Sequence, residues 1–515
     1  MSESLSDIFR QTVKAFGSRP AIVGRDKIMS YTELDSRSEE VATVLQGMRI
    51  GPAARIGIFR RKDVDTVASF YGVLKAGFTY VPIDTRMGPD RLAAVLNDAG
   101  LAALIVEPLL MPRLQALIAG GLCPWLADAT THGDILRFPS GAGSALSSCS
   151  PVSADSTPAY ILYTSGSTGQ PKGVQHTHAS ALAFISWAAA EFDISSRDRL
   201  SCHAPFHFDL TIFDLFAAAM TGACTVLIPD EFAMFPLQVA SLIEAERITV
   251  WYSVPFALIQ LVKHGNLQGR HLSLRQVIFA GERFPPTQLR QLAALLPKVR
   301  LTNLFGPTET NVCTYHHLSQ ADAASDEFCP IGRPCPYASI AIVDKGGNKI
   351  APGEMGELLV GGASVMTGYL NRPEMNEQAF ITEEKDGKAD RFFRTGDLVT
   401  APEGGPMHFH GRIDRQVKVR GFRIELDEIE AALANCAGVV AAAAWVDKDS
   451  NGFAEIRAAV ATEPASTTLD SNDLIAQIRS HLHQAAVPAR ILVMKDMPRS
   501  INGKVDYAAL AELAR

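Results

Sequence analysis

A strand-like run from Ala159 to Tyr163 leads without a break into Thr164, Ser165, Gly166, Ser167, Thr168, Gly169, Gln170, Pro171, Lys172 and Gly173. Glycines let backbone N–H groups come close to an anion, hydroxyl side chains add donors, and a lysine adds charge. The stretch therefore reads as a phosphate-binding loop at the end of a strand. It is not the common nucleotide P-loop, which closes on Gly-Lys followed by Ser or Thr, because Lys172 stands between Pro171 and Gly173. Glycine and serine content alone would suit a plain surface loop equally well; the ordered run is far more restrictive.

Such a loop needs a sheet to anchor it, and the upstream pattern supplies one. A strand at Ile56 to Phe59, a helix from about Val64 to Lys75 stopped by Gly77, and a strand at Thr79 to Ile83 make a parallel α/β layer. Earlier, Leu5, Ile8, Phe9, Val13 and Phe16 recur at helical spacing, with Ser6 as the expected cap. After a short hairpin around Gly24, a second helix is expected to start at Thr32 with Asp35 completing a capping box, and to bury Leu34, Val41, Val44 and Leu45. Residues 131–157, rich in Ser, Gly, Ala and Pro without a period, read as a surface connection. Near residue 411 the sequence GRIDRQVKVRGFRIELDEIEAAL passes from charged, strand-like alternation into a helix. A chain of 515 residues exceeds one ordinary core, and the division is expected at Asp414, giving units 1–413 and 414–515.

Charge excludes some partners. With a net charge of -7 and a pI near 6.0, nothing draws the chain to nucleic acid or to an acidic membrane surface. Its eight cysteines are scattered without a C-x-x-C pair, as expected of reduced thiols in a cytoplasmic protein. The N-terminus lacks the basic start and apolar run of a secretion signal, and no apolar stretch is long enough to span a bilayer.

Further motifs follow the glycine-rich loop: FHFDLTIFD (206–214), FAGE (279–282), NLFGPTET (303–310), FRTGDL (393–398), GRIDRQVKVRG (411–421) and NGKVD (502–506). In kind, order and distance the set resembles the adenylate-forming superfamily of acyl- and aryl-CoA synthetases, luciferases and the adenylation domains of nonribosomal peptide synthetases. The resemblance spans nearly the whole chain. It implies an α/β fold with a large N-terminal α/β domain and a small, mobile α+β C-terminal domain, and it implies ATP and Mg2+ as cofactors.

Roles follow by the same resemblance. Thr164 to Gly169 and Lys172 are implied to hold phosphate, and Gly281, Glu282, Asn303, Phe305 and Gly306 to bind the nucleotide, Phe305 stacking on its adenine. Thr308 is implied to touch the phosphate and Glu309 to hold magnesium, in keeping with the few carboxylates that a phosphate-bound magnesium needs. Asp397 is implied to accept from both ribose hydroxyls, which suits an acceptor-only carboxylate, and Arg412 to reach the ribose as well. Asp414 falls on the family's hinge, Lys418 and Gly421 on its pantetheine tunnel, and Lys504 on the lysine that reaches the substrate carboxylate during adenylation.

The substrate pocket carries over in the same way. Asp209 matches the aspartate that pairs with an amino acid's ammonium, a group that fatty and aryl acids lack. Leu210, Phe213, Tyr252, Ile278, Ala280, Leu304, Val312 and Cys313 match the other lining positions. Any one of these apolar residues taken singly is more often plain core; together they suit a compact hydrocarbon side chain. The set resembles that of stand-alone prolyl-carrier-protein ligases, so L-proline is the expected substrate. With only about ten residues after NGKVD, the expected acceptor is the phosphopantetheine thiol of a separate holo peptidyl carrier protein. The alternatives are pipecolate, valine or another small amino acid, an acid transferred to coenzyme A, and a nucleotide-binding regulatory protein without activity.

Overall fold

The computed structural model describes residues 3–139, 156–166, 170–385, 388–449, 453–462, 469–499 and 505–514. Ser167, Thr168, Gly169 and Lys504 lie outside them.

Two mixed sheets, each with a parallel centre, form the body. In the eight-stranded one, Arg55–Phe59 runs parallel to Thr79–Pro82 and to Ala103–Val106, and Thr79–Pro82 runs parallel to Pro158–Thr164. The helix joining the first two strands is Val64–Lys75, the βαβ crossover legible in the sequence. The nine-stranded sheet carries a parallel run from Arg300–Phe305 through Gln276–Ala280, Val250–Ser253 and Arg199–Cys202 to Cys224–Leu227. One apolar core joins the two sheets through the helices Leu5–Phe16, Val64–Lys75 and His178–Glu191. Phe9 stacks on Tyr71 there with ring centroids 4.1 Å apart.

Beyond these sheets, Ala338–Val343, Met355–Gly362, Phe380–Lys385, Lys388–Thr400 and His408–Arg412 form an antiparallel sheet. A hairpin of Gln416–Val419 and Phe422–Glu425 comes next. A sheet of Val439–Lys448, Ala454–Thr462 and Arg490–Met494 closes the order, packed against the helices Leu426–Ala434 and Ser471–Ile478 around its own core. The small C-terminal part is thus α+β.

Two expected caps move. The first helix is capped by Ser4, whose hydroxyl accepts from the Asp7 N–H while the Asp7 carboxylate accepts in return; Ser6 is buried inside the first turn. The second helix starts at Tyr31, with Ser30 and Glu33 forming the box. Thr32 and Asp35 have the same spacing, but Asp35 accepts from the Lys75 ammonium at 2.5 Å. Val44 stays 40% exposed, so it leaves the buried stripe.

Candidate functional site

The glycine-rich loop leaves one strand and returns on its neighbour. Thr164 is paired with Lys172, which opens the strand Lys172–Thr177. A Cβ on Gly166 would lie 2.2 Å from the Gln170 carbonyl oxygen, so the turn admits no side chain there. Lys172 is buried, its ammonium 4.9 Å from the centre of the Tyr369 ring and 3.9 Å from Glu309 Oε1. Burial, reinforced by the Arg423 charge, lowers its pKa to about 8.

Strand Arg300–Phe305 delivers the next group. At Gly306 a Cβ would sit 1.9 Å from the Asn311 carbonyl oxygen, and this close turn sets Thr308 and Glu309 on a short helical turn, Thr308–Thr310. Glu309 has no exposed surface. Its Oε1 accepts from the Tyr369 hydroxyl at 2.6 Å, and Arg423 Nη1 donates to Oε1 at 2.9 Å and to Oε2 at 2.6 Å. Burial works against its charge, yet the Arg423 and Lys172 charges hold its carboxyl well below the usual range. Behind it, His176 Nε2 lies 2.7 Å from the Thr308 carbonyl, which can only accept. The neutral ring therefore carries its hydrogen on Nε2, and Nδ1 accepts from Ser180 and Asn311. Burial lowers the His176 pKa to about 4.

A second carboxylate faces a ring-lined cavity. Asp397 and Arg412 are register partners on adjacent strands, and Arg412 Nη1 donates to Asp397 Oδ1 at 2.6 Å. The same guanidinium grips Asp414 through two bonds of 2.7 Å. Burial raises the Asp397 pKa despite Arg412. Gly281, Glu282, Asn303, Leu304 and Phe305 line this cavity as well, and Phe409, which carries no motif, sits 5.7 Å from the Phe305 ring.

Asp209 stands at the start of the helical segment Leu210–Ile212, in the adjoining cavity. Leu210, Tyr252, Ala280 and Val312 line that cavity beside it, as does Thr308. Phe213, Ile278 and Cys313 are fully buried and do not reach it; Phe213 instead presses edge-on against Tyr252 from behind. Leu304 faces the other cavity. Of the eight apolar lining residues expected from sequence, four are therefore wall, three are packing behind it, and Leu304 lines the other cavity. Burial raises the Asp209 pKa, with the Thr308 hydroxyl and the Lys418 ammonium working the other way. Phe184, Phe208 and Asn311 also line the cavity; Phe208 lies within the motif 206–214 and Asn311 directly follows 303–310, whereas helical position gave Phe184 no distinguishing pattern.

The hairpin of the small part closes the site. Gly421 has φ +85°, and a Cβ there would meet Val254 at 2.8 Å. Its N–H donates to Glu282 Oε1 at 2.5 Å, and the Ser165 hydroxyl donates to the Arg423 carbonyl at 2.8 Å. Lys418 projects into both cavities; burial lowers its pKa, and Asp397 and Asp209 partly restore it. Further contacts pin the small part down: Arg91 pairs with Glu428 in the interior, and Phe422 packs edge-on against Phe208.

Asp84, His207 and His483 bring three potential metal-ligand atoms within 4.8 Å of one another. His483 Nδ1 accepts from the Ala485 N–H at 3.1 Å, which puts the hydrogen of the neutral ring on Nε2. That atom faces Asp84 Oδ2 at 3.3 Å and has no lone pair for a cation, so the trio is a polar contact between the large and small parts.

Chemically, one end of the site offers a carboxylate in apolar surroundings, suited to an ammonium. The other end offers an acceptor-only carboxylate beside aromatic rings, suited to a ribose and base. Between them lie a glycine-rich turn and buried cations, suited to phosphate.

Comparison with known proteins agrees with this layout. The family model described as AMP-binding enzyme matches residues 9–370, and that of the AMP-binding enzyme C-terminal domain matches residues 428–504. An L-proline–(L-prolyl-carrier protein) ligase of Streptomyces coelicolor is 36% identical, over 97% of this chain and 95% of its own. One of the same name from Pseudomonas fluorescens is 35% identical, over 99% and 98%. Among solved structures, the Vibrio cholerae adenylation domain AlmE, in complex with glycyl-adenosine-5'-phosphate, superposes with a TM-score of 0.83 at 25% identity, covering 100% of this chain and 98% of that one.

Proposed function

The chain belongs to the AMP-binding enzyme family, and on that premise we propose that it activates L-proline with ATP to prolyl-adenylate and passes the prolyl group to the phosphopantetheine thiol of a separate carrier protein. Asp209 carries this reading. It is the carboxylate that stands beside Leu210, Tyr252, Ala280 and Val312, while Asp397, Arg412, Lys418 and Arg423 line other parts of the same cavity, an arrangement that suits a substrate with an ammonium at one end and a small hydrocarbon ring at the other. The protonated secondary amine of proline brings two donors to it. Two relatives of similar length bear the name of that activity.

In the first half-reaction a carboxylate oxygen of proline attacks the α-phosphorus of ATP and pyrophosphate leaves. Lys172 and Thr308 would meet the phosphate oxygens, with Asp397 and Arg412 fixing the ribose and Phe305 the base. Lys504 would bring its ammonium to the proline carboxylate. In the second half-reaction the thiolate attacks the adenylate carbonyl and AMP leaves, with the thiol reaching the carbonyl past Lys418 and Gly421. The small domain would turn between the two steps about Asp414. Magnesium would be held by Glu309 and would neutralise phosphate charge there; in the present arrangement both oxygens of that carboxylate are taken by Arg423 and Tyr369.

The test is amino-acid-dependent exchange of labelled pyrophosphate into ATP over a panel of acids. L-Proline should give the highest specificity constant. A higher value for valine, pipecolate or an aryl acid would reassign the substrate, and no exchange with any acid would leave a nucleotide-binding protein without this activity.

A further inference from the structure

Glu309 lies buried between two cations. Lys172 stands 3.9 Å from it and Arg423 bonds both of its oxygens from one nitrogen. A hard divalent cation takes several oxygen ligands at about 2 Å, and a magnesium ion of this kind is held by one or two carboxylates plus substrate phosphate. Here the guanidinium fills the approach that such an ion would use. Adding the ion would crowd a doubly charged centre against two fixed cations around a single carboxylate.

Arg423 does not reach this place by a free swing of its side chain. Its own carbonyl accepts from Ser165 at 2.8 Å, and two residues earlier the Gly421 N–H donates to Glu282 at 2.5 Å. Backbone bonds on either side of the hairpin end thus fix where the guanidinium falls. The side chain enters and leaves the site only with the hairpin.

We propose that Arg423 occupies the divalent cation's place at Glu309, so that the cation and the docked hairpin exclude one another. The small domain docks in this pose after the cation has gone. A cation held by one carboxylate and phosphate oxygens loses most of its ligands when pyrophosphate departs, and Arg423 then supplies the charge that the buried carboxylate lacks. Arg423 is on this view a positioning residue that ties the second half-reaction to completion of the first. The inference rests on the adenylation reading of Glu309.

Mn2+ serves as the probe, followed by electron paramagnetic resonance in the presence of the unreactive analogue α,β-methylene-ATP. Hydrogen exchange of residues 416–425 reports docking in the same samples. If the docked pose holds about nine-tenths of the wild-type protein, Arg423→Gln should bind Mn2+ about tenfold more tightly, because the excluded fraction is released. Mg2+ should speed exchange in the wild-type hairpin and leave it unchanged in Glu309→Gln. Arg423→Lys keeps the charge and should stay nearer the wild type; affinity equal to that of Arg423→Gln would overturn the proposal. Equal Mn2+ affinity in wild type and Arg423→Gln, with hairpin exchange indifferent to Mg2+, would overturn it while sparing the adenylation reading. No Mn2+ binding by any form at saturating nucleotide would remove the cation from Glu309 and both ideas with it.

Discussion

A carboxylate sunk in the interior is stable as an anion only against a partner, and burial raises the Asp209 pKa while the Thr308 hydroxyl and the Lys418 ammonium favour its charge. A bound ammonium would complete the pair. Removing one member of a buried pair costs ~3 to 5 kcal/mol, so Asp209→Ala should lower kcat/KM for L-proline by on the order of 10² to 10⁴. Cyclopentanecarboxylate, which has the ring and no amine, should gain relative to proline in the same variant. Unaltered proline kinetics would remove Asp209 from amine recognition. At this scale the sequence marked the residues whose chemistry is unusual in its motif: Asp209, Asp397 and Arg412 line the cavities, and Lys172 and Glu309 lie 3.9 Å apart without lining either. It did not separate wall from backing. Tyr252 and Phe213 look alike in a string of letters, and only the packing of one ring behind the other assigns them. Arg423 and Tyr369 were silent because a lone arginine and a lone tyrosine carry no local pattern that points to a carboxylate over fifty residues away.

At the scale of elements, periodicity located helices well and their first residues less well. Val64–Lys75 falls where the apolar spacing and Gly77 put it, whereas two candidate boxes two residues apart, Ser30 with Glu33 and Thr32 with Asp35, are separated only by the tertiary pull of Lys75 on Asp35. The change of character near residue 411 was legible as charged alternation giving way to a helix, and the structure has strands at His408–Arg412 and Gln416–Val419 with Asp414 between them. Asp414 is held here by two bonds from Arg412 and accepts from the Gln416 N–H at 3.2 Å. Proline at 414 would fix one backbone angle that a rotation about this point must change. Asp414→Pro should therefore keep pyrophosphate exchange and slow carrier loading from the same preparation. Equal loss in both assays would place the rotation elsewhere.

Across the whole molecule, the interior holds several histidines as neutral rings. Burial lowers the pKa of His176, His178 and His207 to about 4 and that of His203 to about 3. None of this was legible in the sequence, where no local pattern distinguishes these histidines from exposed ones and their depth is set by tertiary packing. The consequence for stability has a definite sign. In the unfolded chain a histidine titrates near pH 6.5, so between that value and the folded one the unfolded state binds more protons. Stability is then present above about pH 6.5 and is lost as pH falls toward the folded values. The raised carboxyls of Asp209, Glu282 and Asp397 oppose this trend, so the total slope alone does not isolate the histidines. His203 does, because its ring lies beside Trp251, 5.3 Å between centroids, away from both cavities. Its share between pH 7 and pH 5 is about 2 kcal/mol. His203→Asn should lose stability at pH 7, where it forfeits packing, yet show a shallower fall in urea midpoint between pH 7 and pH 5 than the wild type. A variant whose midpoint falls as steeply as that of the wild type would mean that His203 is already protonated, or reaches water, in the folded protein.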